Sequence, residues 1–406
     1  MKFNLSLKSL LKIFFYFFIA YFVLSFYFYL NVSQASTIRA GVLLGAFVFL
    51  VFYIGKYGLK IRYKYFSSQI VELLFLLFFL YLLFLCVFNL DWQQLRRLAL
   101  IILFFTIIVA YQKEKISNFK YFYILFLFIS VVVSVAYVYS FIANNGMILP
   151  DKNIAMVRAN FDIYLDYGNS VIAGMHLSFL YAFCLLFYFK AENRLNLFFS
   201  YVSSYLLLCA VFLTFARTSW LVCFIVIITY LIYYFKLSFK RCVILLAPIA
   251  IMLPYYLYYF MSFHLDRGLT RRDEIWISFI DSMNGTGAWL FGHGLSAAMD
   301  TVKLSTGHYQ PHAHSIYVEV LYRAGLVGLV LFVGIIMVTL FKLHSLKHSD
   351  FKVLYIALIA SIAVGMFFDY SNLIYSPNLM WLVFWLPMAL AFAAITNNVK
   401  CQGVKC

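Results

Sequence analysis

The sequence predicts an all-α polytopic integral membrane protein, with about 12 transmembrane helices and a large outer-face loop between helices 9 and 10. Three observations lead there. Of the 406 residues 65% are hydrophobic and only 11% charged, with a mean hydropathy of +0.93, so a water-soluble fold would lack the polar surface to cover itself. Apolar runs long enough to cross a bilayer recur along the whole sequence. Lysine and arginine gather in alternate connections, the asymmetry of cytoplasmic loops. This excludes a cytosolic enzyme, a secreted disulfide scaffold and, despite the net charge of +16, a nucleic-acid-binding chain.

The apolar runs lie at 10–30, 38–54, 70–88, 98–111, 121–142, 171–189, 197–215, 220–235, 243–260, 316–341, 353–368 and 379–395. A hydrocarbon core of about 30 Å takes roughly 20 helical residues, so the shorter runs must borrow interfacial Tyr, Trp or Ser at their ends. The first run has no small-residue cleavage site and is expected to stay as a signal anchor. Lys2/Lys8/Lys12, Lys56/Lys60/Arg62/Lys64, Lys113/Lys115/Lys120, Lys190/Arg194, Lys236/Lys240/Arg241, Lys342/Lys347/Lys352 and Lys400/Lys405 all fall on one side. That side carries 20 basic residues against three acids, Glu114, Glu192 and Asp350. The other is close to neutral, which puts both termini in the cytoplasm. The seven cysteines have no metal-ligand spacing, and five sit inside runs, so no structural disulfide is expected. The chain divides into helices 1–9 (1–260), the outer loop (261–313), and helices 10–12 with a cytoplasmic tail (314–406).

Polar residues collect in two outer connections, 143–167 and the larger 261–313, which holds five of the eight histidines. A membrane protein that concentrates polar groups in one outer loop acts on something presented at that face. In the large loop, Thr270-Arg271-Arg272-Asp273 fits a capping box, and Ile275, Trp276, Phe279, Ile280 and Met283 then recur on one helical face. Arg271 and Arg272 in a first helical turn oppose the macrodipole unless an anion docks there. They are read either as a phosphate or pyrophosphate site, or as interfacial arginines meeting lipid headgroups or pairing with Asp273 and Glu274. Arg217 stands in a tight outer turn between two apolar runs, where it either snorkels or pairs.

Pro311-His312-Ala313-His314-Ser315 runs directly into the tenth span. Two histidines at i, i+2 share no helical face and no carboxylate completes a zinc set, so no metal and no other cofactor is expected. Nearby arginines and the helix start favour a neutral His314 that can accept a proton; the alternative is that His312 and His314 only cap the loop. Glu319 lies one turn beyond and either supports His314 or pairs with Arg323 at i+4. Arg158, with Asp151, Lys152 and Asp162, marks the smaller outer loop as a second place where substrate could be touched.

At these residues the chain resembles the O-antigen ligase family, a group of bacterial envelope enzymes that also holds O-antigen polymerases and O-linked oligosaccharyltransferases. The pattern of His, then Asn/Ser/Gln, nine residues, then Gly-x-x-Gly is met by His314-Ser315 and Gly325-Leu326-Val327-Gly328; a Thr pair that follows in some members is Leu329-Val330 here. Arg217 matches the family's arginine between spans seven and eight. Arg272, four residues before Trp276, matches the loop arginine, with Arg271 as its neighbour. Phe291-Gly292-His293-Gly294-Leu295 is similar to the Gly-x-Gly segment of that loop. The resemblance covers the topology of nearly the whole chain, and specific motifs from about 214 to 328.

The resemblance implies a glycosyltransferase-C-like, metal-independent, inverting enzyme of the Gram-negative inner membrane. It would move a glycan from undecaprenyl pyrophosphate to a sugar hydroxyl of lipid A-core at the periplasmic face, among membrane lipids and with no nucleic acid. His314 would be the general base, Arg217 and Arg272 would meet the pyrophosphate, and Arg271, His312, Arg158 and Glu319 would contact substrate. The rivals are an O-antigen polymerase, an O-linked oligosaccharyltransferase and, from another class, a transporter or flippase for anionic glycolipids.

Overall fold

A computed structural model of the chain describes residues 32–57, 69–113, 119–145, 170–236, 238–250, 272–299, 312–346 and 351–402, apart from 215, 248, 371, 372, 376 and 379, together with 16, 17, 20, 21 and 254. Among the described residues all regular structure is helical: α1 (Val32–Tyr57), α2 (Gln69–Phe88), α3 (Trp92–Lys113), α4 (Phe119–Asn145), α5 (Ser170–Lys190), α6 (Arg194–Leu213), α7 (Arg217–Tyr234), α8 (Arg272–Asp281), α9 (Gly285–Phe291), α10 (Ile316–Ser345) and α11 (Lys352–Phe368). The twelfth, α12, opens with the π turn Trp381–Trp385 and continues as Leu386–Gln402. Most of the run at 10–30, much of that at 243–260, Arg158, Thr270 and Arg271 lie outside the described residues.

Six of these helices are long and apolar enough to cross a membrane: α2, α3, α5, α6, α7 and α10. The chain is a multi-pass membrane protein. Lipid tails are as apolar as leucine, so hydrophobic exclusion cannot drive such helices together, and close packing at small residues must. At Gly174 on α5 an added Cβ would overlap the Ser219 side chain of α7, and at Gly365 on α11 it would meet Val222 Cγ2 at 2.7 Å. Ser219 Oγ donates to the Val171 carbonyl at 2.9 Å, tying the start of α7 to α5. Accordingly α5 is the most enclosed span, 89% buried, whereas Leu73, Leu76, Leu80 and Phe84 leave α2 exposed on one side, a lipid-facing surface.

The apolar run at 316–341 predicts one continuous helix, but α10 is broken at Gly325, where φ is +64° and ψ −171°. The break lets α9 approach backbone to backbone. A Cβ on Gly325 would overlap the Leu290 carbonyl, and one on Gly292 would overlap the Arg323 carbonyl. A break also strips carbonyls of their helical partners, and three successive ones find others. The N–H groups of His293 and Gly294 donate to Tyr322 O and Arg323 O at 2.9 and 3.0 Å, and Tyr81 Oη donates to Ala324 O at 2.6 Å.

Below this latch Ile275, Phe279, Met283, Met299, Ala313 and Tyr322 form a small apolar core of their own, which seats α8 on α10. The segment after α11 is anchored from the far end of the chain. Pro387 has no N–H to give, so Leu386 N bonds back five residues to Trp381 O and the helix winds wide. From that wide turn the indoles of Trp381 and Trp385 each donate at 3.2 Å, to Tyr375 O and Leu373 O. Arg39 Nη1 adds a bond to Pro377 O at 3.1 Å, and the Arg97 guanidinium lies 4.2 Å from the Tyr375 ring centroid.

Candidate active site

Three structural elements deliver charged or titratable side chains to one place: the start of α8, the turn before α10 and the end of α11. Arg272 is the first residue of α8, and its Nη2 lies 3.1 Å from Oδ2 of Asp369, the C-cap residue of α11. The other carboxylate oxygen, Oδ1, accepts the Tyr370 N–H at 2.8 Å and lies 3.7 Å from His314 Nδ1. That last distance is longer than a hydrogen bond. It turns one edge of the imidazole toward the carboxylate and leaves Nε2 on the opposite edge. Asp369 is 6% exposed, so its charge is screened by protein groups more than by water.

Burial alone would push the Asp369 carboxyl up. The His314 contact, the Tyr370 N–H and Arg272 outweigh it and hold the group below its ordinary value. Burial lowers the Arg272 guanidinium; Asp369 raises it, and the charge of Arg217 lowers it further. Arg217 itself is exposed, at the first position of α7, in a turn pinned by Trp220 Nε1 donating to Val211 O at 3.0 Å. The His312 ring centroid is 3.9 Å from that of His314, and burial followed by the His314 charge lowers its pKa. His312 therefore favours the neutral form.

The structure thus brings Arg272, His314 and His312 together around Asp369, with Arg217 near enough for its charge to act on Arg272. Glu319 is placed otherwise. It is 3% exposed, faces Arg323 Nε at 3.3 Å, and lines with it a small cleft that is otherwise walled by residues such as Phe78, Leu82 and Ile374. Arg158 and Arg271 lie outside the described residues.

Asp369 is the group that sequence reasoning missed. The sequence reading offered Glu319 as the acid that could support His314; in the structure Glu319 pairs with Arg323 and Asp369 is the carboxylate beside His314. One signal was present: an acid directly at the end of a strongly apolar run, Met366-Phe367-Phe368-Asp369, is costly unless paired. Backbone strain marks the same place. Of the three non-glycine residues with positive φ among those described, His314 (51°) and Tyr370 (85°) border this carboxylate.

By class, then, this is a multi-pass membrane protein, helical throughout its described residues, with an Arg-Asp-His centre built where helices end. Residues 202–333, which hold Arg217, Arg272 and His314, match the family model described as O-antigen ligase. Consistently, 128 residues are 30% identical to an O-antigen ligase of Pseudomonas aeruginosa. That match spans 31% of this chain and 31% of the relative.

Proposed function

We propose that the protein is an O-antigen ligase, transferring a glycan from undecaprenyl pyrophosphate to a sugar hydroxyl of lipid A-core at the periplasmic face of the inner membrane. The observation that carries this reading is the carboxylate of Asp369 shared between Arg272 and His314. Glycosyl transfer needs a base for the acceptor proton and positive charge for the departing pyrophosphate, side by side.

In the proposed reaction the acceptor oxygen attacks the anomeric carbon as its proton passes to His314 Nε2. The bond from that carbon to the pyrophosphate oxygen breaks, inverting the centre, and the polyprenyl pyrophosphate leaves with the bonding pair. Asp369 orients the imidazole and stabilises the imidazolium that forms, the part a carboxylate plays behind any histidine base. Arg272 gives Nη2 to Asp369 and keeps its other N–H groups for phosphate oxygens; Arg217, exposed beside it, adds a second guanidinium. His312, Arg271 and Arg158 are assigned to substrate contacts, and Glu319 to the cleft it shares with Arg323. No metal takes part in the proposed chemistry.

The test is transfer by the purified protein in nanodiscs, with an undecaprenyl-pyrophosphate glycan and lipid A-core offered together. Glycan on lipid A-core, absent with His314→Ala, supports the proposal. Lengthened lipid-linked glycan would instead make the protein a polymerase, and donor crossing the bilayer unchanged would make it a transporter.

A further inference from the structure

Trp276 touches two of the three elements that carry the site and stands on the third. It lies on α8 one turn after Arg272, and its Nε1 donates to the Ala313 carbonyl at 3.0 Å. Ala313 is fully buried between His312 and His314. The indole and the Phe367 ring meet edge to face, at 5.3 Å between centroids and 70° between planes, two residues before Asp369.

The hydrogen bond falls where it matters most. The Ala313 carbonyl and the His314 nitrogen belong to one rigid peptide plane, so fixing that carbonyl fixes the plane from which His314 departs. His314 departs with φ of +51°, a positive value that a non-glycine residue rarely adopts unless its surroundings impose it. Free of the bond, the turn would relax toward negative φ and swing the imidazole off Asp369.

We infer that Trp276 is a positioning residue for the transfer reaction: its indole N–H holds the histidine turn in the strained geometry that faces His314 to Asp369, while its ring holds α8 against the end of α11. This rests on the reading of Arg272, His314 and Asp369 as the reaction centre.

The test replaces Trp276 in the full chain with β-(3-benzothienyl)alanine, which keeps the bicyclic shape but has sulfur where the N–H was. Trp276→Phe is run beside it. Transfer is followed in nanodiscs with the same donor and acceptor, with thermal melting of each variant. Both variants are expected to lose about tenfold to a hundredfold in kcat, the effect of a reacting group displaced by around 1 Å, with donor KM and melting temperature near wild type. A benzothienyl variant with wild-type kcat would overturn the inference, as would a loss of kcat matched by an equal loss of folded protein. His314→Ala, measured in parallel, separates the two levels. If it transfers normally the underlying reading fails and takes this one with it; if it is inactive while the benzothienyl variant is normal, only the role of Trp276 falls.

Discussion

Arg272 Nη2 lies 3.1 Å from Asp369 Oδ2, a pair formed across 97 positions of sequence between the start of one helix and the end of another. Its two side chains are 18% and 8% exposed, so the pair is largely shielded from water. Asp369→Asn keeps the shape and removes the charge, leaving Arg272 unbalanced and His314 without its orienting carboxylate. Transfer by the purified variant should drop by about 10²-fold or more, with a lowered melting temperature. Wild-type transfer by Asp369→Asn would separate this carboxylate from the chemistry.

The two arginines should tolerate lysine poorly. Guanidinium presents a flat fork that meets two oxygens at once, whereas an ammonium is a point charge. Arg272→Lys and Arg217→Lys should each lose about tenfold or more in kcat/KM at low donor concentration. Full activity of both would leave them as interfacial anchors.

His312 gives the site an acid-side sensitivity whose sign follows from its lowered pKa. The folded chain binds fewer protons than the unfolded one between the folded value and the ordinary imidazole value of about 6.5. The contribution is therefore complete above about pH 6.5 and is lost as pH falls through the folded value. His312→Asn, which cannot titrate there, should flatten this part of the acid-side decline in melting temperature; an unchanged pH profile would contradict the assignment.

Gly325 and Gly292 should be intolerant of a single methyl group. Both have positive φ, +64° and +75°, and a Cβ on either would run into the other strand of backbone. The backbone strain alone is worth about 1–3 kcal/mol. Gly325→Ala should therefore lower the melting temperature and uncouple the 293–295 turn from α10. Gly334→Ala, on the same helix with open space around it, should melt as wild type.

Chelation offers a fifth check. The charge on a departing pyrophosphate is assigned here to guanidinium groups, so transfer by the purified protein should be the same with and without EDTA. Loss of activity with EDTA, restored by a divalent cation, would refute that assignment.

Much of the architecture was legible because hydropathy is a local property: α2, α5 and α7 can be read from their own residues. Arg217, Arg272 and His314 were legible because spacing to nearby Gly, Trp and Ser ties them to a family pattern. Asp369 was not, since an acid at the end of an apolar run signals only that it needs a partner, and Arg272 and His314 arrive from elsewhere in the chain. Gly325 was visible as half of a Gly-x-x-Gly pattern, yet its left-handed φ depends on α9 docking against it, and hydropathy runs through the break without a mark. The Glu319–Arg323 pair, by contrast, is local, and i+4 spacing was enough to raise it.

The wide turn ahead of Pro387 has a consequence for biosynthesis. Ribosomes emit Arg217, Arg272, His314 and Asp369 well before Trp381 and Trp385, yet those two indoles fasten the stretch that follows the carboxylate. A nascent product released before this point would insert with every named charge in place and no seat for the last of them. Premature termination there would leave the stretch after Asp369 without the two indole hydrogen bonds that hold it.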